Sequence, residues 1–132
     1  MNSQVVEELE RDIVSSDKQV VIFALEWCEF CWAVNKLLDA YGIPYRTINL
    51  DCADYQEHDR GRNIRKALNE KTSWVTMPLI FINGKFVGGC IDLFKECQSG
   101  ALQTRLSTCD IQFDESVRTD PLSFLPTWLH PR

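Results

Sequence analysis

The feature that most constrains this chain is the step from Val20-Val21-Ile22-Phe23-Ala24-Leu25 into Cys28-Glu29-Phe30-Cys31. An unbroken apolar, β-branched run makes a strand with no polar face, so it must lie inside a sheet covered on both sides. From Phe30 onward the period turns helical: Ala33, Val34, Leu37, Leu38 and Tyr41 share a face, and Gly42 with Pro44 ends it. A buried strand therefore delivers Cys28 to the first turn of a helix. There, unpaired backbone N–H groups and the positive end of the macrodipole favour a thiolate.

The rest of the chain alternates in the same way. Val5, Val6, Leu9, Ile13 and Val14 predict an amphipathic helix over residues 4–15. Residues 45–50 read as a second strand, and Ile64, Ala67 and Leu68 place a helix at about 56–70. Residues 78–82 make a third strand, Asn83-Gly84 is a hairpin turn, and Lys85-Phe86-Val87 pairs back as a fourth. Gly88-Gly89 then opens a helix through Ile91, Leu93, Phe94 and Cys97, and a last helix follows Gly100 through Leu102 and Leu106. A βαβ unit, a hairpin and covering helices form an α/β structure: a small mixed four-stranded sheet with helices on both faces, the outline of a thioredoxin-like fold.

Residues 1–109, the N-terminal helix included, read as one domain and 110–132 as an extension. Pro121, Pro126 and Pro131 forbid a long helix there, while Phe113, Leu122, Phe124, Leu125, Trp128 and Leu129 are too apolar for a solvated tail. The segment is expected to pack back over the domain; docking of a protein partner is the alternative.

Composition narrows the class of function. A chain of 132 residues, 45% apolar and 25% charged, can bury a core without disulfide staples. The net charge of −5, with no cluster of Lys and Arg, argues against nucleic acid. The run Val20–Leu25 is far short of a membrane span. Glu7, Glu8, Glu10 and Asp12 occupy the place of the basic and apolar regions of a signal peptide. The six cysteines are therefore expected in a reducing, cytoplasmic setting rather than a secreted framework.

Cys28 and Cys31 lie one helical turn apart, within disulfide reach, with Cys28 as attacking thiolate and Cys31 as resolving thiol. No metal site is expected: zinc calls for a second close pair of ligands, and His58, His130, Cys52, Cys90, Cys97 and Cys109 supply none. Thr76-Met77-Pro78, before the third strand, is a candidate cis peptide whose carbonyl and N–H an extended substrate can pair with. Gly88-Gly89-Cys90-Ile91-Asp92 opens a helix whose free N–H groups suit a carboxylate, with Asp92 either holding an amine or capping the helix.

Together these three motifs resemble the glutaredoxin family, from about Val20 to about Thr108. The family pattern of Cys-Pro-Tyr-Cys, Thr-Val-Pro and Gly-Gly-Cys-X-Asp is matched in order by Cys28–Cys31, Thr76–Pro78 and Gly88–Asp92, and Ser99-Gly100-Ala101-Leu102 is similar to its turn into the last helix. The resemblance implies a dithiol oxidoreductase with glutathione as co-substrate, acting on disulfide-containing or glutathionylated proteins. It implies that glutathione lies against Phe30, Thr76, Met77 and Pro78, with its γ-glutamyl end at Gly89, Cys90, Ile91 and Asp92.

The departures cluster at the cysteines. Leu25 and Trp74-Val75 stand where the family places basic or amide residues for the glycine carboxylate of glutathione, with Lys71 or Lys85 as candidate replacements. Glu29 replaces the usual proline and Glu26 is close by, so carboxylates oppose the helix dipole and a weaker nucleophile is expected. Trp27 before Cys28 is similar to the thioredoxin approach. Three alternatives follow: a thioredoxin-type reductant with little glutathione binding, a non-catalytic adaptor using the extension, and an iron-sulfur carrier, against which Glu29 and Cys31 argue.

Overall fold

The computed structural model describes residues 19–26, 28–53, 56, 59–74, 76–117 and 121–124. The expected helix over 4–15 lies outside the described residues, as do Trp27, His58, Val75, Trp128 and His130.

The strand with no polar face is the centre of the molecule. β1 (Val20–Ala24) is at most 1% exposed at every position. It pairs in parallel with β2 (Arg46–Asn49) and antiparallel with β3 (Leu79–Ile82), which pairs antiparallel with β4 (Lys85–Gly88), in the order β2-β1-β3-β4. Alternation along β1 divides the core in two. Val20, Ile22 and Ala24 join Ile80 and Ile82 beneath α1 (Glu29–Ala40), α3 (Cys90–Ser99) and α4 (Ala101–Thr108). Val21 and Phe23 join Ile48, Leu79 and Phe81 beneath Ile64, Ala67 and Leu68 of α2 (Arg60–Thr72). The thioredoxin-like mixed sheet read from the sequence is the observed one.

Local chemistry sets most boundaries. α1 stops where Gly42 takes φ +65°, with Gly42 N–H donating to Asp39 and Ile43 N–H to Leu38. α2 begins at Arg60 rather than near 56, because Gln56 and Asp59 sit in successive turns and Asp59 adopts φ 54°. Asn83 and Gly84, both at positive φ, make the hairpin turn.

The described part of the extension packs back over the helices. Asp114 N–H donates to the Tyr41 carbonyl at 2.7 Å, and Phe113, Val117 and Phe124 cover the cluster formed by α1, α3 and α4. Pro121–Phe124 is a single 3-10 turn lying against α1 and α3.

Candidate functional site

Cys28 is the N-cap of α1. Its backbone is extended (φ −91°, ψ 122°), and its sulfur accepts the Cys31 N–H at 3.4 Å, taking one of the donors a helix leaves unpaired at its start. An N-cap normally carries oxygen; here the capping atom is the sulfur of a partly exposed free thiol. On its other side the thiol donates to the Met77 carbonyl at 3.9 Å. The Met77-Pro78 peptide is cis, as the X-Pro motif suggested.

Cys31 differs sharply from its neighbour. It is 3% exposed, packed among α1 and α3 side chains. Burial pushes its thiol upward, and contact with the Cys28 sulfur adds to the effect. One thiol of the pair faces the outside and the other waits protonated behind it.

The N-terminal end of α3 closes the other side. Pro78, Gly89 and Cys90 are buried, while Thr76 is exposed and Met77 partly so. A Cβ on Gly89 would lie 3.4 Å from both the Pro78 carbonyl and the Trp74 indole nitrogen, so these three segments meet at close packing distance. Burial, and after it the charge of Cys28, pushes the Cys90 thiol up to about 12. Asp92 accepts the Gly89 N–H on Oδ2 at 3.1 Å and thereby caps α3, the second of the two roles open to it. Phe30 and Ile91, at 36% and 42% exposure, flank the cysteine from the first turns of α1 and α3.

Sequence reasoning missed two features. Asp51 Oδ1 accepts the Glu26 N–H at 2.8 Å and ties the end of β2 to the turn before Cys28. Trp74 is the last ring of an aromatic file, Phe23 to Phe81 at 5.8 Å, Phe81 to Phe86 at 5.3 Å and Phe86 to Trp74 at 5.8 Å. Its indole nitrogen is buried and makes no hydrogen bond with described residues. Spacing carries no signal for either contact, since both join distant segments.

Lys85 does not serve as the replacement cation. It pairs with Ile82 beside the hairpin turn, at the opposite end of β3 from Met77-Pro78. Nor does the hollow of about 520 Å³ between α4 and the extension belong to this site; Ser107 and residues 110–116 line it, with no cysteine or cation among them. Among the described residues no group of three or more His, Cys, Asp or Glu is placed to hold a metal ion.

Known proteins resemble this chain in sequence and fold. The glutaredoxin family model matches residues 20–87. A glutaredoxin of Ricinus communis is 42% identical over 80 residues, 61% of this chain and 72% of that protein. Monothiol glutaredoxin-S10 of Oryza sativa subsp. japonica is 36% identical over 101 residues, 76% of this chain, which spans only 59% of that relative. Among solved structures, a buckwheat glutaredoxin-glutathione complex superposes with a TM-score of 0.72 and 33% identity, covering 82% of this chain and 92% of the other. The family model runs through the strand, helix and hairpin that assemble around Cys28, and on it, the relatives and the superposition together, the chain belongs to the glutaredoxin family.

Proposed function

We propose that this protein is a dithiol, glutathione-dependent disulfide oxidoreductase. The observation that carries the reading is the asymmetry of the pair: Cys28 caps a helix at the surface, and Cys31 is buried one turn behind it. The Cys28 thiolate attacks one sulfur of a protein disulfide or a glutathionylated thiol, forming a mixed disulfide and releasing the other sulfur as thiolate. Cys31, or a glutathione thiolate, then attacks the Cys28 sulfur, and the second thiolate leaves.

Glutathione as co-substrate is supported by the buckwheat relative, which is a complex with that tripeptide. Its cysteinyl backbone fits beside the Met77 carbonyl, and its γ-glutamyl carboxylate suits the start of α3, where Cys90, Ile91 and Asp92 have backbone N–H groups with no acceptor inside the helix. Thr76, Pro78 and Phe30 border the same cleft. A reducing, cytoplasmic compartment suits six cysteines none of which is paired.

Trp74 favours a second reading. It stands where the family places a residue for the glycine carboxylate and brings a ring packed on Phe86 instead of a cation, consistent with a thioredoxin-type reductant that binds glutathione weakly. Steady-state reduction of a glutathionylated peptide separates the two. Dependence on glutathione, lost in Cys28→Ser and partly kept in Cys31→Ser, supports the first; turnover only with a thioredoxin reductase supports the second.

A further inference from the structure

Cys28 stands among carboxylates with no balancing cation on its loop. Glu29, the first residue of α1, and Glu26, in the turn before it, are exposed. The hydrogen bond from Glu26 N–H to Asp51 Oδ1 brings a third exposed carboxylate to the same turn. Among the described cations, Arg46 opens β2 opposite Val21, Lys85 stands at the hairpin and Arg105 pairs with Glu96 at 3.0 Å, while Lys36 lies over the Trp32 ring at 5.2 Å.

Apolar surface frames these charges. Phe30, Trp32 and Ile91 are 36%, 49% and 42% exposed, the large hydrophobic side chains left open among the described residues. They come from the starts of the two helices that meet at Cys28. An apolar border keeps water from a docked molecule, so the carboxylate field acts on it through a medium of lower dielectric than bulk water.

We propose that this electronegative, apolar-edged rim makes the site selective for disulfides carrying positive charge next to the reacting sulfur, with Glu26 and Glu29 as the specificity-determining residues. The substrate class is a cationic disulfide, such as one within a lysine- or arginine-bearing segment. The proposal rests on Cys28 as the nucleophile. Its first step is attack of the Cys28 thiolate on the disulfide, with release of one cationic thiol. Cys31 then displaces the second, leaving a Cys28-Cys31 disulfide and a reduced substrate.

The test is a single-turnover measurement on prereduced full-length protein without glutathione, at low ionic strength. The probes are cystamine (a dication), hydroxyethyl disulfide (neutral) and dithiodipropionic acid (a dianion). Each charged rate is divided by the neutral rate, which cancels any change in the reactivity of Cys28 itself. Wild type is expected to favour cystamine over the neutral probe by about tenfold and to disfavour the dianion comparably. The thiolate's own charge contributes in every variant, so the decisive comparison is with Glu26→Gln/Glu29→Gln. There, both ratios shrink by roughly threefold or more, as they also do for wild type in salt. Ratios unchanged in the double variant, or charged probes matching the neutral one in wild type, overturn the proposal. Failure of the neutral probe to react at all is a separate result: it removes the Cys28 reading, and the proposal with it.

Discussion

Two helix starts meet at the Met77-Pro78 peptide, and they satisfy their backbone donors in opposite ways, one at the third helical residue and the other at the N-cap itself. α1 is capped by the sulfur of Cys28, a poor acceptor at 3.4 Å that remains partly exposed. α3 is capped by the carboxylate of Asp92 on Gly89 N–H at 3.1 Å, with Gly88 pressed against the same side chain. A sulfur cap gives little stability and leaves a nucleophile at the positive end of a dipole. A carboxylate cap over buried glycines holds the second wall of the cleft in place. One end is built for chemistry and the other for position.

The largest effect that tests this contrast is on stability at the α3 end. Gly88 has φ +133°, and a Cβ there would lie 2.8 Å from the Asp92 Cβ and Oδ2. Gly88→Ala is expected to destabilise by roughly 2–4 kcal/mol in urea unfolding, from backbone strain plus the clash. Cys28→Ser, at the other helix, is expected to change stability by less than about 0.5 kcal/mol, since a hydroxyl is a competent cap. A comparable loss at both positions would break the distinction.

A second effect concerns the buried thiols. Cys90 is raised by burial from 9.0 to about 12, and Cys31 is raised too. Tyr45 is raised to about 12, by burial first and then by its hydrogen bond to Asp39 at 2.9 Å. The unfolded chain releases these protons at lower pH than the folded one. Their contribution is therefore complete below about pH 9 and is lost as pH rises toward 12. Thermal melting under reductant should fall from pH 8.5 to pH 11, both roughly chosen to bracket that window. The fall should be shallower in Cys90→Ala, and equal slopes would contradict the burial of this thiol.

The smallest effect is the cap itself. Asp92→Ala leaves the Gly89 N–H without its acceptor and should cost about 1 kcal/mol in the same urea experiment. Asp92→Asn, which keeps an acceptor oxygen, should recover most of it.

Much of this was legible before the fold. The strand at Val20–Ala24, the helix stop at Gly42 and the hairpin at Asn83-Gly84 are each written in a few adjacent residues, so local chemistry decides them, whereas Met77-Pro78 marked only a candidate cis peptide. The start of α2 was not, because Asp59 turns into a left-handed conformation that its own neighbours do not dictate. The seating of Trp74 on Gly89, the Asp51 tie to Glu26 and the particular contact of residues 121–124 with α1 and α3 were also hidden. Each joins segments far apart in sequence, where only the folded sheet brings the partners together. At the site itself, the expectation of Cys28 as attacking and Cys31 as resolving thiol came from the helix start, and the fold adds the difference in their burial.

That division is tested most directly by limited alkylation of the reduced native protein with iodoacetamide at neutral pH, mapped by peptide mass spectrometry. Among the three thiols of the cleft, Cys28 is predicted to be labelled first, with Cys31 and Cys90 protected until the protein is unfolded. Labelling of Cys31 or Cys90 before Cys28 would contradict the assignment of Cys28 as the exposed nucleophile.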